Sequence, residues 1–154
     1  MRWKVWKDIL FFINNGIPFI VVFISTFVFI GSKYLRFKLV VDQIVPLNEV
    51  KQRIATGEQL IVYIIDPLKC AICMEQFPRV KVILERAELP FVLVNYWEDE
   101  EFVKSLGQWK RVPALIAYSD KSVVRLIDAS KVSTLSMVQY EQFANEVSLQ
   151  WKAV

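Results

Sequence analysis

Apolar and polar positions are spread unevenly along the 154 residues of this chain. Residues 9–30 carry no charge, and Phe, Ile and Val fill most of the positions. At about 1.5 Å rise per residue, such a helix spans roughly the 30 Å hydrocarbon core of a bilayer. Helices of this length in water-soluble proteins show a polar face, and this stretch has none. Asn14, Asn15, Gly16 and Pro18 interrupt its first third. A second placement therefore starts the spanning helix near Ile17, with Pro18 in its first turn, and ends it near Phe37. Trp3, Val5, Trp6 and Leu10 then form an interfacial stretch.

Beyond residue 38 the pattern breaks into short segments. Residues 39–45 are rich in β-formers and end at Pro46. Asn48 is placed to cap a helix to about Ala55, with Leu47, Val50 and Ile54 on one face and Gly57 as the stop. Residues 60–65 are apolar throughout, the pattern of a strand buried on both sides. A helix follows over residues 70–88 with Phe77, Val80, Ile83 and Leu84 inward, and Pro90 opens a buried strand at 91–95. Glu98-Asp99-Glu100-Glu101 suit the positive end of a helix whose apolar stripe is Phe102, Val103 and Leu106, ended by Gly107. Residues 114–118 and 123–127 form a hairpin about Ser119-Asp120-Lys121-Ser122. Ser136 and Gln139 are spaced as a capping box before the last helix. The order β-α-β-α-β-α-β-β-α predicts an α/β domain over residues 39–154. Its mixed central sheet is covered by helices on both faces, with parallel pairing where helices connect strands and an antiparallel edge from the hairpin. One N-terminal transmembrane helix precedes it, within a tail and anchor of residues 1–38.

Charge sharpens this division. Residues 1–38 hold six Lys or Arg and one acid, Asp8, which leaves 13 basic against 15 acidic residues in 39–154. The basic excess therefore belongs to the membrane flanks, and the globular part lacks the cationic balance of a nucleic-acid binder. Arg2, Lys4 and Lys7 on one side of the apolar run nearly match Lys33, Arg36 and Lys38 on the other. The short basic tail favours a cytoplasmic N-terminus, with the domain outside the cell membrane. A cleaved signal peptide is the rival reading of the basic start, but an alanine-type cleavage site is lacking, the first alanine being Ala55.

The chain has two cysteines, and they form Cys70-Ala71-Ile72-Cys73 where a buried strand meets a helix. A cysteine at a helix start faces unpaired backbone N–H groups and the positive dipole end, which favour its thiolate. Cys73, one turn along and more shielded, is placed as the resolving thiol. Two structural cysteines need no such spacing. A zinc site needs four ligands, and the chain has no histidine, which also excludes Cys–His catalysis and the haem attachment motif. No bound cofactor is expected, the Cys70–Cys73 disulfide being the redox group itself.

From about residue 40 to 150 the chain resembles the thioredoxin family. An apolar strand leads into Cys70-Ala71-Ile72-Cys73, Pro78 stands five residues after the second cysteine, and Arg111-Val112-Pro113-Ala114 matches the loop that carries the family's cis-proline. The resemblance implies a thioredoxin fold in which Val112-Pro113 is a cis peptide beside Cys70. There it implies that the proline keeps out metals and that the backbone before it pairs with an extended substrate. An ordinary strand-opening proline is the plainer account of Pro113.

Three departures matter. The buried acid that the family places six residues before the first cysteine is Ile64 here, with Asp66 nearer the loop as a substitute. The aromatic residue usual before the first cysteine is Lys69, read either as a cation favouring the Cys70 thiolate or as a solvated surface lysine. Ala71-Ile72 matches neither the Gly-Pro of reductases nor the Pro-His of strong oxidases, so the direction of exchange stays open. Trp97 and Trp109 are read as packing residues. The resemblance implies a single-pass thiol–disulfide oxidoreductase acting on protein thiols and disulfides outside a bacterial membrane, with a membrane electron-transfer partner. Small anchored proteins of this layout resemble bacteriocin-transport accessory proteins and the thiol-redox partners of cytochrome maturation. The alternatives are a non-catalytic accessory module that holds a membrane or secretion complex, and a redox protein facing the cytoplasm.

Overall fold

The computed structural model describes residues 2–129 and 135–153, with side chains from Val21 onward. The chain divides into two compact units, residues 1–38 and 39–154. The first helix, α1, runs Arg2–Val41 without a break at Pro18, whose fixed φ is itself helical. The expected helix start at Ile17 is therefore corrected. Among the described residues no helix is long and apolar enough to cross a membrane. Side chains 9–20 of the expected span, and those of Trp3, Val5, Trp6 and Leu10, lie outside the described residues.

The second unit contains α2 (Leu47–Ala55), β1 (Leu60–Ile65), α3 (Ala71–Arg86), β2 (Phe91–Asn95), α4 (Glu100–Ser105), β3 (Ala114–Ser119), β4 (Ser122–Asp128) and α5 (Met137–Lys152). The sheet order is β2-β1-β3-β4, with β1 parallel to β2 and antiparallel to β3. Parallel pairing across helical connections thus holds for β1 and β2 only, since β3 returns in the opposite direction. All six residues of β1 are buried. Alternation sends Ile61, Tyr63 and Ile65 into a layer with Phe77, Val80 and Leu84 of α3 and Tyr140, Phe143 and Val147 of α5. Leu60, Val62 and Ile64 enter the opposite layer with Val50 of α2 and Val103 of α4. The sheet is mixed and covered on both faces.

The strand expected at residues 39–45 is a correction. The amides of Gln43 and Ile44 donate back to Val40 and Val41, which closes the end of α1. A single parallel bridge, Ile44 to Leu93, survives before Pro46 removes the next donor. Nor does Asn48 cap α2, which starts at Leu47 after Pro46; the Leu47 amide donates to Glu98 Oε1 at 3.4 Å instead. The hairpin turn is two residues rather than four, because Ser119 and Ser122 pair. Asp120 and Lys121 both adopt positive φ, 48° and 67°, the twist that suits a two-residue hairpin. The Ser136–Gln139 capping box is present.

Three core tyrosines give the domain an alkaline limit. Burial raises the Tyr63 and Tyr118 hydroxyls above the ordinary range and pushes Tyr140 up to about 12. The neutral form is the buried one, so their contribution is intact below the unfolded value of 10.0 and is lost as pH rises from there toward 12. Tyr140 alone should lower stability by about 2 to 3 kcal/mol at pH 12. The urea midpoint of the full chain is expected to hold from pH 7 to 9 and to fall steeply above 10. An unchanged midpoint at pH 11 contradicts the assignment.

Candidate functional site

The site begins where β1 ends. Asp66 is buried, and its Oδ1 accepts the amides of Leu68 at 3.0 Å and Lys69 at 2.8 Å, while its carbonyl accepts the Cys70 amide at 2.9 Å. That turn delivers Cys70 to the position just before α3, where its Sγ accepts the Cys73 amide at 3.2 Å. Cys70 and Cys73 form a disulfide with their Cα atoms 5.2 Å apart. Cys73 is fully buried in the layer that holds Tyr63 and Phe77, whereas Cys70 is half-buried. Pro78 lies inside α3, one turn beyond the pair.

The Val112-Pro113 peptide is cis, and Pro113 is buried immediately before β3. Val112 and Cys70 line the same open groove of about 470 Å³, with Asp66 and Lys69 at its edge. The structure thus gathers all six residues singled out in the sequence near one end of the sheet.

Two expectations change. Ile64 does not lie under the cysteine pair: it packs in the layer opposite Cys73, and the β1 residues that share the layer of Cys73 are Ile61, Tyr63 and Ile65. The Tyr63 hydroxyl lies 3.5 Å from that of Tyr140, which donates to Gln76 Oε1 at 3.1 Å. Trp97 packs on one side only: it meets the Tyr96 ring edge-on but is 43% exposed and carries Lys69 Nζ 4.3 Å above its ring. Lys69 is therefore not simply solvated, since its ammonium rests on the Trp97 ring.

Sequence reasoning passed over most of the remaining groove lining, which includes Tyr96, Lys104, Trp109 and Lys110. Tyr96 meets the rings of Trp97 and Trp109 edge-on at 4.8 and 5.6 Å. Its hydroxyl donates to Glu100, which also pairs with Lys104. These bonds, Lys104 first, hold the Glu100 carboxyl below its ordinary range, with the charge of Lys69 adding to the effect. The Trp109 indole donates to the Val103 carbonyl at 3.0 Å. Among the described residues, no three His, Cys, Asp or Glu side chains gather as a metal-ligand set.

A mixed four-stranded sheet between helices, a CxxC pair opening the helix after an inner strand, and a cis-proline before the antiparallel strand together define a thioredoxin-like domain. No protein-family model and no curated protein matches the chain. Among solved structures it is similar to thioredoxin 1 from the thermophilic eubacterium Thermosipho africanus TCF52B, at 16% sequence identity and a TM-score of 0.47, over 62% of this chain and 99% of that one.

Proposed function

We propose that this chain is a membrane-anchored thiol–disulfide oxidoreductase that exchanges disulfides with exported proteins through Cys70 and Cys73. The observation that carries the reading is the asymmetry of the pair. Cys70 stands on an open groove at a helix start with an amide aimed at its sulfur, and Cys73 is buried one turn behind it. Such an arrangement favours attack by Cys70 and resolution by Cys73. The disulfide is the redox group, and the reading calls for no other cofactor. Reduced full-length protein in detergent is expected to accelerate insulin disulfide reduction by dithiothreitol at least tenfold over its Cys70→Ser form. Equal rates would leave a binding module as the better account.

The anchor rests on the uncharged run of residues 9–30 and on the described part of α1. There Val21, Val22, Phe23, Ile24, Phe27, Val28, Phe29 and Ile30 are all exposed, an arrangement that water disfavours and lipid accepts. The hydroxyls of Ser25 and Thr26 donate to the Val22 carbonyl and that of Ser32 to Phe29, so these polar groups stay satisfied in hydrocarbon. The domain then faces the extracytoplasmic side, with protein thiols and disulfides as substrates and a membrane electron-transfer partner to reset the pair. A cysteine at the exposed Ser122, in a Cys70→Ser, Cys73→Ser background, is expected to react with an impermeant thiol reagent on intact cells. Labelling only after lysis would reverse the orientation.

A further inference from the structure

Charge around the exchanging sulfur is distributed against the balance of the domain. Residues 39–154 carry two more acids than bases, yet the groove beside Cys70 is lined by Lys69, Lys104, Lys110 and Arg111. Its one acidic lining residue is Asp66, which is buried with an oxygen already committed to two loop amides. Lys104 is paired with Glu100. Among the described residues, Lys69, Lys110 and Arg111 have no carboxylate within ion-pair distance.

These three cations come from two separate segments that line the groove, the loop before Cys70 and the loop before Val112. Lys69 directly precedes Cys70, and its ammonium is held over the exposed Trp97 ring rather than left to wander. Arg111 and Lys110 precede Val112 in the loop that carries the cis-proline. Their backbone amides donate to Asp128 Oδ2, at 2.6 Å from Lys110 and 3.4 Å from Arg111, which fixes the loop and leaves both side chains exposed. Tyr96 and Trp109 add aromatic surface to the same groove, and Ile72 adds an exposed apolar side chain.

We propose that this groove selects client segments in which Asp or Glu side chains flank the exchanging cysteine. The inference deepens the oxidoreductase reading and rests on it. A carboxylate flanking a cysteine seated at Cys70 meets Lys69 or the Lys110–Arg111 pair, while lysine-flanked cysteines meet three cations that form no described ion pair. Like charge across such a contact discriminates more strongly than the attraction adds affinity, and steering acts mainly on the association rate. The reaction is a two-electron exchange. The Cys70 thiolate attacks one sulfur of a client disulfide, and one client thiolate leaves and takes up a proton. The Cys73 thiol then gives up its proton, which the second client sulfur takes up as it leaves, and the resulting thiolate attacks Cys70 Sγ, leaving the protein oxidised and the client reduced.

The test uses the reduced full-length protein in neutral detergent and two symmetric peptide disulfides, alike except that glutamates or lysines flank the cysteine. Each rate is divided by that of neutral dithiothreitol with the same peptide, which removes intrinsic differences in reactivity. The glutamate peptide is expected to react about tenfold faster than the lysine peptide at low salt, with the ratio shrinking toward one near 1 M salt. The Lys110→Glu, Arg111→Glu double variant is expected to lower the ratio to one or invert it. Because the readout is a ratio, it does not depend on the absolute activity of the variant. Lys69→Gln, which keeps the loop uncharged but intact, is expected to lower it partway. A wild-type ratio near one, with both peptides reacting, overturns the selectivity while leaving the oxidoreductase reading in place. A ratio that persists unchanged in the double variant overturns the assignment to these residues. Failure of both peptides to react removes the oxidoreductase reading, and the selectivity falls with it.

Discussion

The Cys73→Ser chain is expected to accumulate mixed disulfides with its clients through Cys70, about tenfold or more above the Cys70→Ser chain. The two sulfurs differ in access more than in chemistry. Cys70 lines an open groove and receives the Cys73 amide at 3.2 Å, so a thiolate there is both reachable and stabilised. Cys73 has no exposed surface, packed in the layer with Tyr63, Phe77 and Tyr140, and can reach only a sulfur already bound to its neighbour. Serine at position 73 removes the resolving attack and leaves the client attached. Serine at position 70 removes the entry point and leaves a thiol that no protein can approach. Non-reducing electrophoresis of the full chain purified from cells, followed by mass spectrometry of the adducts, reads the outcome. Equal trapping by both variants would mean that α3 opens enough to expose Cys73, and the division of roles would fail.

Much of this site was legible from the order of residues, because it depends on local features. A six-residue apolar run, a CxxC at its end, and a Val-Pro 43 residues later need no knowledge of packing to be noticed. What stayed hidden is the phase of β1. Leu60–Ile65 is apolar at every position, so the period of two that tells one face from the other leaves no trace in the pattern. The family's acid position falls on Ile64 by counting back from Cys70, and only the sheet shows that Tyr63 is the residue sharing a layer with Cys73. The groove was illegible for a different reason. Tyr96, Lys104 and Trp109 come from the end of β2, from α4 and from the loop after it, and nothing local relates them to Cys70. The false strand at residues 39–45 shows β-propensity yielding to helix continuation: Val40 is buried by the packing of α1's last turn, and a hydrophobic pattern fits either account.

The resting potential of the pair is expected to lie above the value of about −270 mV that holds for thioredoxin. Two features of the structure push in that direction. The helix-start amide at Cys70, with the cationic lip of Lys69, Lys110 and Arg111 around it, stabilises the thiolate of the reduced form. Each tenfold gain in that stabilisation raises a two-electron potential by about 30 mV. The polar groups of the layer that holds Cys73 include the hydroxyls of Tyr63 and Tyr140, held neutral by burial, and the Gln76 amide that Tyr140 reaches; the buried carboxylate of the site, Asp66, has an oxygen committed to two loop amides. With Asp66 so engaged, transfer of the Cys73 proton is expected to be slow, which favours giving the disulfide away over giving electrons. Equilibrating the full chain against glutathione buffers measures the potential, and thiolate absorbance should rise well below the pH of about 8.5 at which free cysteine titrates. Lys110→Glu, Arg111→Glu is expected to lower the potential by about 30 mV or more. A wild-type potential at or below that of thioredoxin would overturn this account and direct attention to Asp66, the buried carboxylate of the loop. Its Asp66→Asn form would then slow turnover at neutral pH if that group carries the proton that Tyr63 cannot.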